Sequence, residues 1–476
     1  MKKWLAFLSI VLLTCCNVPH WAQQVKGTDK YNMDISKFGA LSLLAVDVAS
    51  NEVIVQSNPF QRMTPASLTK LFTTGAGLAI LSKDYQYETK FYLSKNQDDK
   101  NVLLIVGGGD PTLGSNRFDA TKAELLFEKV VKVLMLQEGV YNLDGGIIID
   151  NSCYAGIKQP SKRMWEDMGN YYGAVPNGLT YKENAFQLSL QSPKGVGKNC
   201  SVVKTEPSVD LDFKCLVKSA DNNKDSAYVY GNAYMDEWYI SGTIPQNRKE
   251  FTIKGALPQP EVTFARELRE YLRINGISVG DEINKQLLSN VRGEKKIIYT
   301  YYSPALNEIV SVVNKRSHNL FADHILFAIA DQKQGEATWD IGVKELTGFW
   351  NSKIPEFSGL FFDGSGLSPF NAVSANDMVE VLTWMNQSEY STAFKESLSI
   401  AGVDGTLKSI LKEDEFKGKL IGKSGSMNGV LAYCGYLKTH EGNELAICII
   451  ANRFTEPFSE VRKKMEDLMK EIIRQN

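Results

Sequence analysis

Three short polar elements set into apolar patterning constrain this chain most. Ser67-Leu-Thr-Lys70 comes early, Ser317-His-Asn319 follows after a long stretch, and Lys423-Ser-Gly425 stands near the end. Pro65-Ala66-Ser67-Leu68-Thr69-Lys70 opens an apolar-periodic run in which Leu68, Leu71, Phe72, Leu78 and Ala79 recur at helical spacing, with Pro65 suited to a first turn. Ser67 is therefore expected at a helix start, with Lys70 three residues on and on the same face. First-turn N–H groups have no partner inside the helix. One segment thus supplies a nucleophile, a base and an oxyanion donor.

A serine hydroxyl is a weak nucleophile until a neighbouring base takes its proton, and a lysine does so only after losing its own. Lys423 is expected to supply the pressure, since a second cation in a partly desolvated cleft pushes the pKa of Lys70 down toward about 7 to 8.

The second element follows a helix expected to begin at Ser303-Pro304, with Leu306, Ile309, Val310 and Val313 on one face. Residues 316 to 319 then form a loop, and an apolar helix restarts at Leu320. Ser317 and Asn319 are thereby aimed into a cleft, and His318 reads as the spacer between them. Lys423-Ser424-Gly425-Ser426 leads into two strand-like runs, Val430 to Leu437 and Glu444 to Ala451, joined by a turn at Glu441-Gly442-Asn443. Gly425 lets the backbone pass close to a ligand, and the Ser426 N–H is the second oxyanion donor opposite the Ser67 N–H.

Each element alone is common by chance; their joint order and context give them weight. Together with Gly108-Gly-Asp-Pro-Thr-Leu113, Asp363-Gly-Ser-Gly-Leu-Ser368 and Ala401-Gly-Val-Asp-Gly-Thr-Leu407, they make the chain resemble the low-molecular-mass class C penicillin-binding proteins, the D-alanyl-D-alanine carboxypeptidase/endopeptidase family. The resemblance runs from about Leu41 to Arg453. It implies an α/β fold: a β-lactamase/transpeptidase-like domain, an antiparallel sheet flanked by helices, carrying two nested, β-rich inserted domains. The long gap between Ser67 and Ser317 fits such an insertion. The expected division is a signal peptide over 1–22, the catalytic domain over 23–85 and 262–476, one inserted domain over 86–108 and 191–261, and the other over 109–190. Lys122 to Leu136 reads as an amphipathic helix, and the stretches near 186–190, 200–217 and 226–240 as strands and turns.

The resemblance also implies a mechanism. Ser67 attacks the penultimate D-alanine carbonyl of a peptidoglycan stem peptide and Lys70 takes its proton. Ser317 and Lys423 pass a proton to the leaving amine, Asn319 binds the substrate amide, and Ser424 with Lys423 receives the terminal carboxylate. β-Lactams enter as mimics of the D-Ala-D-Ala bond and remain as a blocked acyl-enzyme. Trp165-Glu-Asp167-Met168 resembles the family element whose aspartate holds the side-chain amine of diaminopimelate, although locally Asp167 also reads as a surface acid. Ser426, Met427 and Asn428 line the opposite wall. Pro369 stands where many relatives have a basic residue, a departure that bears on recognition of the side-chain carboxylate.

Composition bounds the rest. With 43% hydrophobic residues and a formal charge of −2, the chain has material for sizeable cores and no global basicity, so no nucleic-acid partner is expected. Met1-Lys-Lys followed by Trp4 to Leu13 reads as an export signal cut after Ala22, placing the protein in the periplasm; Leu13-Thr-Cys15-Cys16 offers a lipoprotein anchor as the alternative. No transmembrane anchor is expected in the mature chain. In an oxidising compartment Cys200 and Cys215, closing a short loop, are candidates for a disulfide whose pairing the sequence leaves open; Cys434 and Cys448 read as small core residues, and Cys153 is unassigned. His318, His324 and His440 lack metal-ligand spacing, and the glycines at 107–109 are not followed by a phosphate-cradling lysine, so neither metal nor cofactor is expected. The competing readings are a β-lactamase or small esterase, and an idle peptidoglycan-binding or β-lactam-sensing protein.

Overall fold

The computed structural model describes residues 39–291 and 293–476. The leader, with Cys15, Cys16 and the expected cleavage point, lies outside them.

Four C-terminal and two N-terminal strands build the central sheet. In spatial order it runs Ser399–Ile400, Leu420–Met427, Val430–Lys438, Glu444–Asn452, Ala40–Asp47 and Val53–Ser57, antiparallel throughout. Alternation along its strands sorts side chains to two cores. Leu44, Ala432, Cys434, Tyr436, Ala446, Cys448 and Ile450 face one helical layer, which includes Thr69–Leu81, Leu306–Arg316, Asn319–Gln334 and Ala375–Gln387. Leu431, Tyr433, Leu445, Ile447 and Ile449 face the other, covered by Phe458–Gln475. Burial on both faces explains why these strands read as nearly continuous apolar runs. Each fully buried Ile or Leu contributes about 1.5–3 kcal/mol relative to exposure. Cys434 and Cys448, opposite each other in register, are buried free thiols.

The helix expected from Ser303 begins instead at Leu306, because the Ser303 hydroxyl is occupied: it accepts the Tyr87 N–H at 3.0 Å. The turn between the last two strands of the sheet includes Gly442 at φ +96°, in the left-handed region that favours glycine.

The inserted part departs from the expected boundaries. A five-stranded mixed sheet joins Ile283–Lys285, Ile147–Asp150, Asn101–Val106, Glu88–Lys95 and Lys296–Tyr302 in that order. The helices Ala123–Lys132 and Pro260–Ile274 pack on it through Leu126, Phe127, Phe264, Leu268 and Leu272. Residues 262–302 therefore belong with the insert, not with the catalytic domain as expected, because their apolar faces are completed only by this sheet. Strands between 185 and 256 form two further small sheets around Trp238, Phe186 and Ile240. The inner lobe is thus the 185–256 region, whereas the expected division placed 109–190 inside and 191–261 outside. Cys200 and Cys215 are both free there. The backbone sets Cys200 against Val217, whose carbonyl accepts its N–H at 3.0 Å, two residues from Cys215.

Candidate active site

Ser67 sits in a single 3-10 turn, Ala66–Leu68, that runs directly into the helix Thr69–Leu81. The turn is sharp: Ala66 has φ +48°. Leucine, phenylalanine and alanine on the far side of this helix fix it in the core, so the serine–lysine edge is presented toward the cleft. The connection between the helices Leu306–Arg316 and Asn319–Gln334 is two residues long, and Ser317 makes the reversal with φ +56°. Lys423 comes from the strand Leu420–Met427. That strand runs hard against the Ser67 turn, for a Cβ on Gly425 would fall 2.4 Å from the Pro65 carbonyl oxygen. No other residue permits this approach without moving the strand.

These placements bring the three elements into one hydrogen-bonded group. Lys70 Nζ donates to Ser67 Oγ at 3.0 Å, to Asn319 Oδ1 at 2.7 Å and to the Ser365 carbonyl at 2.5 Å, filling the three donor positions of an ammonium. Lys423 Nζ donates to Ser317 Oγ at 2.8 Å and to the Ser424 carbonyl at 2.7 Å. Both lysines are fully buried, while Ser67 and Ser317 remain partly open. Along the strand end, Ser424 and Met427 are half-buried, Gly425 is buried, and Ser426 and Asn428 are exposed.

Burial lowers the Lys70 pKa to about 7, against the opposing pull of the Asp323 and Asp363 carboxylates, with the Arg163 cation assisting. Burial also pushes Lys423 well below its ordinary value, and the Lys70 charge adds to that. The expected direction of influence is therefore corrected: desolvation, not the second lysine, brings Lys70 down, and it is Lys423 that feels its neighbour.

Beneath Lys70 lies a charge group that no local motif announces. Arg163 Nη2 is 3.0 Å from Asp323 Oδ2 and 3.2 Å from Asp363 Oδ2, all three side chains without solvent exposure. Asp363 also accepts the N–H groups of Gly366 and Ser368, both at 2.8 Å, and Asn371 Nδ2 at 2.7 Å. Against burial, the Arg163 cation and then these donors hold its carboxyl below the usual range. Asp323 has fewer partners, and burial raises it to about 6. Asp363 belonged to a stretch already singled out in the sequence; Arg163 and Asp323 did not.

Trp165 and Asp167 stand on the short helix Trp165–Met168. Trp165 is 44% exposed. Asp167 is raised to about 6 by burial and by Glu166, and it hydrogen-bonds Tyr172. The Tyr172 carbonyl accepts Asn319 Nδ2 at 2.9 Å, so Asp167 is two contacts from the serine–lysine group. Tyr172 is a residue that sequence reasoning missed. Among the described residues no group of three or more His, Cys, Asp or Glu side chains is placed to hold a metal ion.

A serine at a helix start, a buried lysine on its oxygen and a second lysine on the adjoining strand of an antiparallel sheet are the arrangement of a serine enzyme of the β-lactamase/transpeptidase type. The chain belongs to the D-Ala-D-Ala carboxypeptidase 3 (S13) family, whose model matches residues 29–475, and it is a serine-type D-Ala-D-Ala carboxypeptidase. It is 25% identical over 436 residues to a D-alanyl-D-alanine carboxypeptidase of Actinomadura sp. strain R39, covering 88% of this chain and 79% of that protein. The crystal structure of penicillin binding protein 4 from Haemophilus influenzae superposes with a TM-score of 0.79 at 22% identity, over 92% of this chain and 98% of that one. A second structure of that protein, complexed with a β-lactam, gives 0.72 at 21% identity, over 92% and 96%.

Proposed function

We propose that Ser67 is the nucleophile of a D-Ala-D-Ala carboxypeptidase/endopeptidase working on peptidoglycan stem peptides, with Lys70 as its base. The observation that carries this reading is the Lys70 Nζ to Ser67 Oγ contact of 3.0 Å, made by a lysine whose pKa is about 7. A base poised near neutrality takes the serine proton as Oγ attacks the penultimate D-alanine carbonyl. The Ser67 and Ser426 N–H groups meet the developing oxyanion. Ser317, held by Lys423, delivers a proton to the departing amine, which is free D-alanine or, in a crosslink, the neighbouring peptide. Asn319 orients the substrate amide, and Ser424 with Gly425 and Lys423 lines the seat of the terminal carboxylate. Water then hydrolyses the ester. A β-lactam acylates Ser67 by the same steps, but its leaving group stays tethered and keeps water out.

Asp167 and Trp165, with Met427 and Asn428 across the cleft, form the seat for the substrate side chain, where the Asp167 carboxylate takes a free amine. Export to the periplasm through the 1–22 leader fits this substrate, and no helix among the described residues is long and apolar enough to cross a membrane. The test is incubation of purified protein with labelled penicillin and with a D-Ala-D-Ala peptide. Stoichiometric label together with D-alanine release is expected. Rapid penicillin turnover without peptide cleavage would replace the reading by a β-lactamase, and neither reaction by a binding protein.

A further inference from the structure

Within the loop at 317–319, the serine and the asparagine face the reacting groups and the histidine between them faces the other way. His318 caps the helix Asn319–Gln334, its Nδ1 accepting the Phe321 N–H at 3.4 Å, and its ring packs on Phe321 with centroids 4.1 Å apart. A ring nitrogen that accepts a backbone N–H carries no proton of its own, so the imidazole proton is on Nε2. That atom lies 2.9 Å from Glu183 Oε2 and donates to it. Glu183 is gripped from its far side as well: Ser115 Oγ donates to Oε1 at 2.6 Å, Arg117 Nε to Oε1 at 2.9 Å, and Arg117 Nη2 to Oε2 at 3.0 Å. Glu183, Ser115 and Arg117 all belong to the insert. Only 14% of the His318 side chain and 19% of that of Glu183 are exposed.

Both ends of this contact are carried by backbone that L-residues seldom adopt. Lys182, Glu183 and Asn184 have φ of +50°, +57° and +46° in succession, and Ser317 has +56°. Such conformations cost about 1–3 kcal/mol each and persist only where the surroundings over-determine them. Lys182 is tied to Glu267 at 2.8 Å, and Asn184 Nδ2 donates to the Val175 carbonyl at 2.9 Å and to Thr180 Oγ1 at 3.2 Å. A two-residue helix connection has few other handles. Apart from His318, it is aimed by the contacts of Ser317 to Lys423 and of Asn319 to Lys70 and the Tyr172 carbonyl.

We propose that His318 and Glu183, backed by Arg117 and Ser115, are positioning residues of the enzyme, through which the inserted lobe fixes the direction of Ser317 and Asn319. The proposal rests on the reading of those two residues as parts of the reacting group. A displacement of about 1 Å in such groups costs on the order of 100-fold in rate.

The test is single-turnover acylation by a fluorescent penicillin, resolved into a maximal rate and a half-saturating concentration. His318→Asn keeps a side-chain acceptor for the Phe321 N–H, so the helix cap survives, but it is too short to reach Glu183. Glu183→Ala removes the other half. Each variant is expected to lower the maximal rate about 10- to 100-fold with little change in half-saturation. The double variant is expected to be no slower than either single one, because both act through one contact. A His318→Asn protein that acylates at the wild-type rate would overturn the proposal, as would losses that multiply in the double variant. If His318→Asn fails to fold, Glu183→Ala decides alone: a maximal rate lowered about 10- to 100-fold supports the proposal and a wild-type rate overturns it. A wild-type protein that takes no label would instead remove the catalytic reading, and this inference with it.

Discussion

The two walls of the cleft are assembled by different means. On one, Ser67 and Lys70 sit three residues apart on a single helix edge, and Lys423 and Ser424 are adjacent on a strand. On the other, Arg163 meets Asp323 and Asp363 across 160 and 200 residues of chain, and Glu183 meets His318 across 135. The groups proposed to form and break bonds travel as short local motifs. The environment around them is put together at long range, where Arg163 and Glu183 of the insert meet Asp323, Asp363 and His318 of the catalytic part. A comparison at the level of motifs therefore recovers what reacts and leaves out what tunes it.

Substitutions on the two walls should separate these contributions. Ser67→Ala is expected to abolish penicillin labelling and peptide hydrolysis while leaving the thermal transition unchanged, since alanine is at least as good in a helix; any stoichiometric label on this variant would move the nucleophile elsewhere. Lys70→Ala should slow acylation by about 100- to 10,000-fold, the usual worth of a positioned base. In the wild type, acylation should climb as pH rises through about 7, because only the deprotonated amine accepts the serine proton and the Lys70 pKa is about 7. A rate independent of pH between 6 and 8 would assign the base to another group.

On the insert side, Arg163→Met strands two buried carboxylates and is expected to cost about 3–5 kcal/mol of stability by denaturant unfolding. It should also move the midpoint of the acylation profile to higher pH, since it removes a cation that lowers Lys70 and leaves Asp323 and Asp363, which raise it. A loss of stability with an unmoved midpoint would make Arg163 a brace alone. Asp167→Ala is the mildest change, expected to lower kcat/KM by about 1–3 kcal/mol for peptides with a free side-chain amine and to spare their N-acetylated forms. For the amine substrate, wild-type kcat/KM should fall as pH drops through about 6, where Asp167 gains its proton. Equal losses on both peptides would leave the amine unread by Asp167.

Much of the architecture was legible because its signals are periodic and local. The paired strands at 430–438 and 444–452 announce themselves by unbroken apolar runs, and the nucleophile helix by its apolar spacing. The extent of the insert was not, because the amphipathic helix Pro260–Ile274 carries no mark of which sheet completes its apolar face. The depressed pKa of Lys70 was foreseen, but its cause was misassigned, since burial depends on neighbours such as Ser365 that no spacing rule supplies. His318 read as a spacer because its partner, Glu183, is brought to it by a left-handed backbone run that its own residue types do not predict.

The order of strands in the central sheet bears on how the enzyme comes into being. Every named strand between 88 and 302 finds its partners within that span, so the insert can complete its sheets as soon as it emerges. The central sheet takes four of its six strands from beyond residue 398. A chain made or translocated from its N-terminus thus presents Ser67 long before the strand bearing Lys423 can reach Ser317. The Ser67–Lys70 contact is thus local to one early segment, whereas the Lys423–Ser317 contact awaits the last segment of the chain.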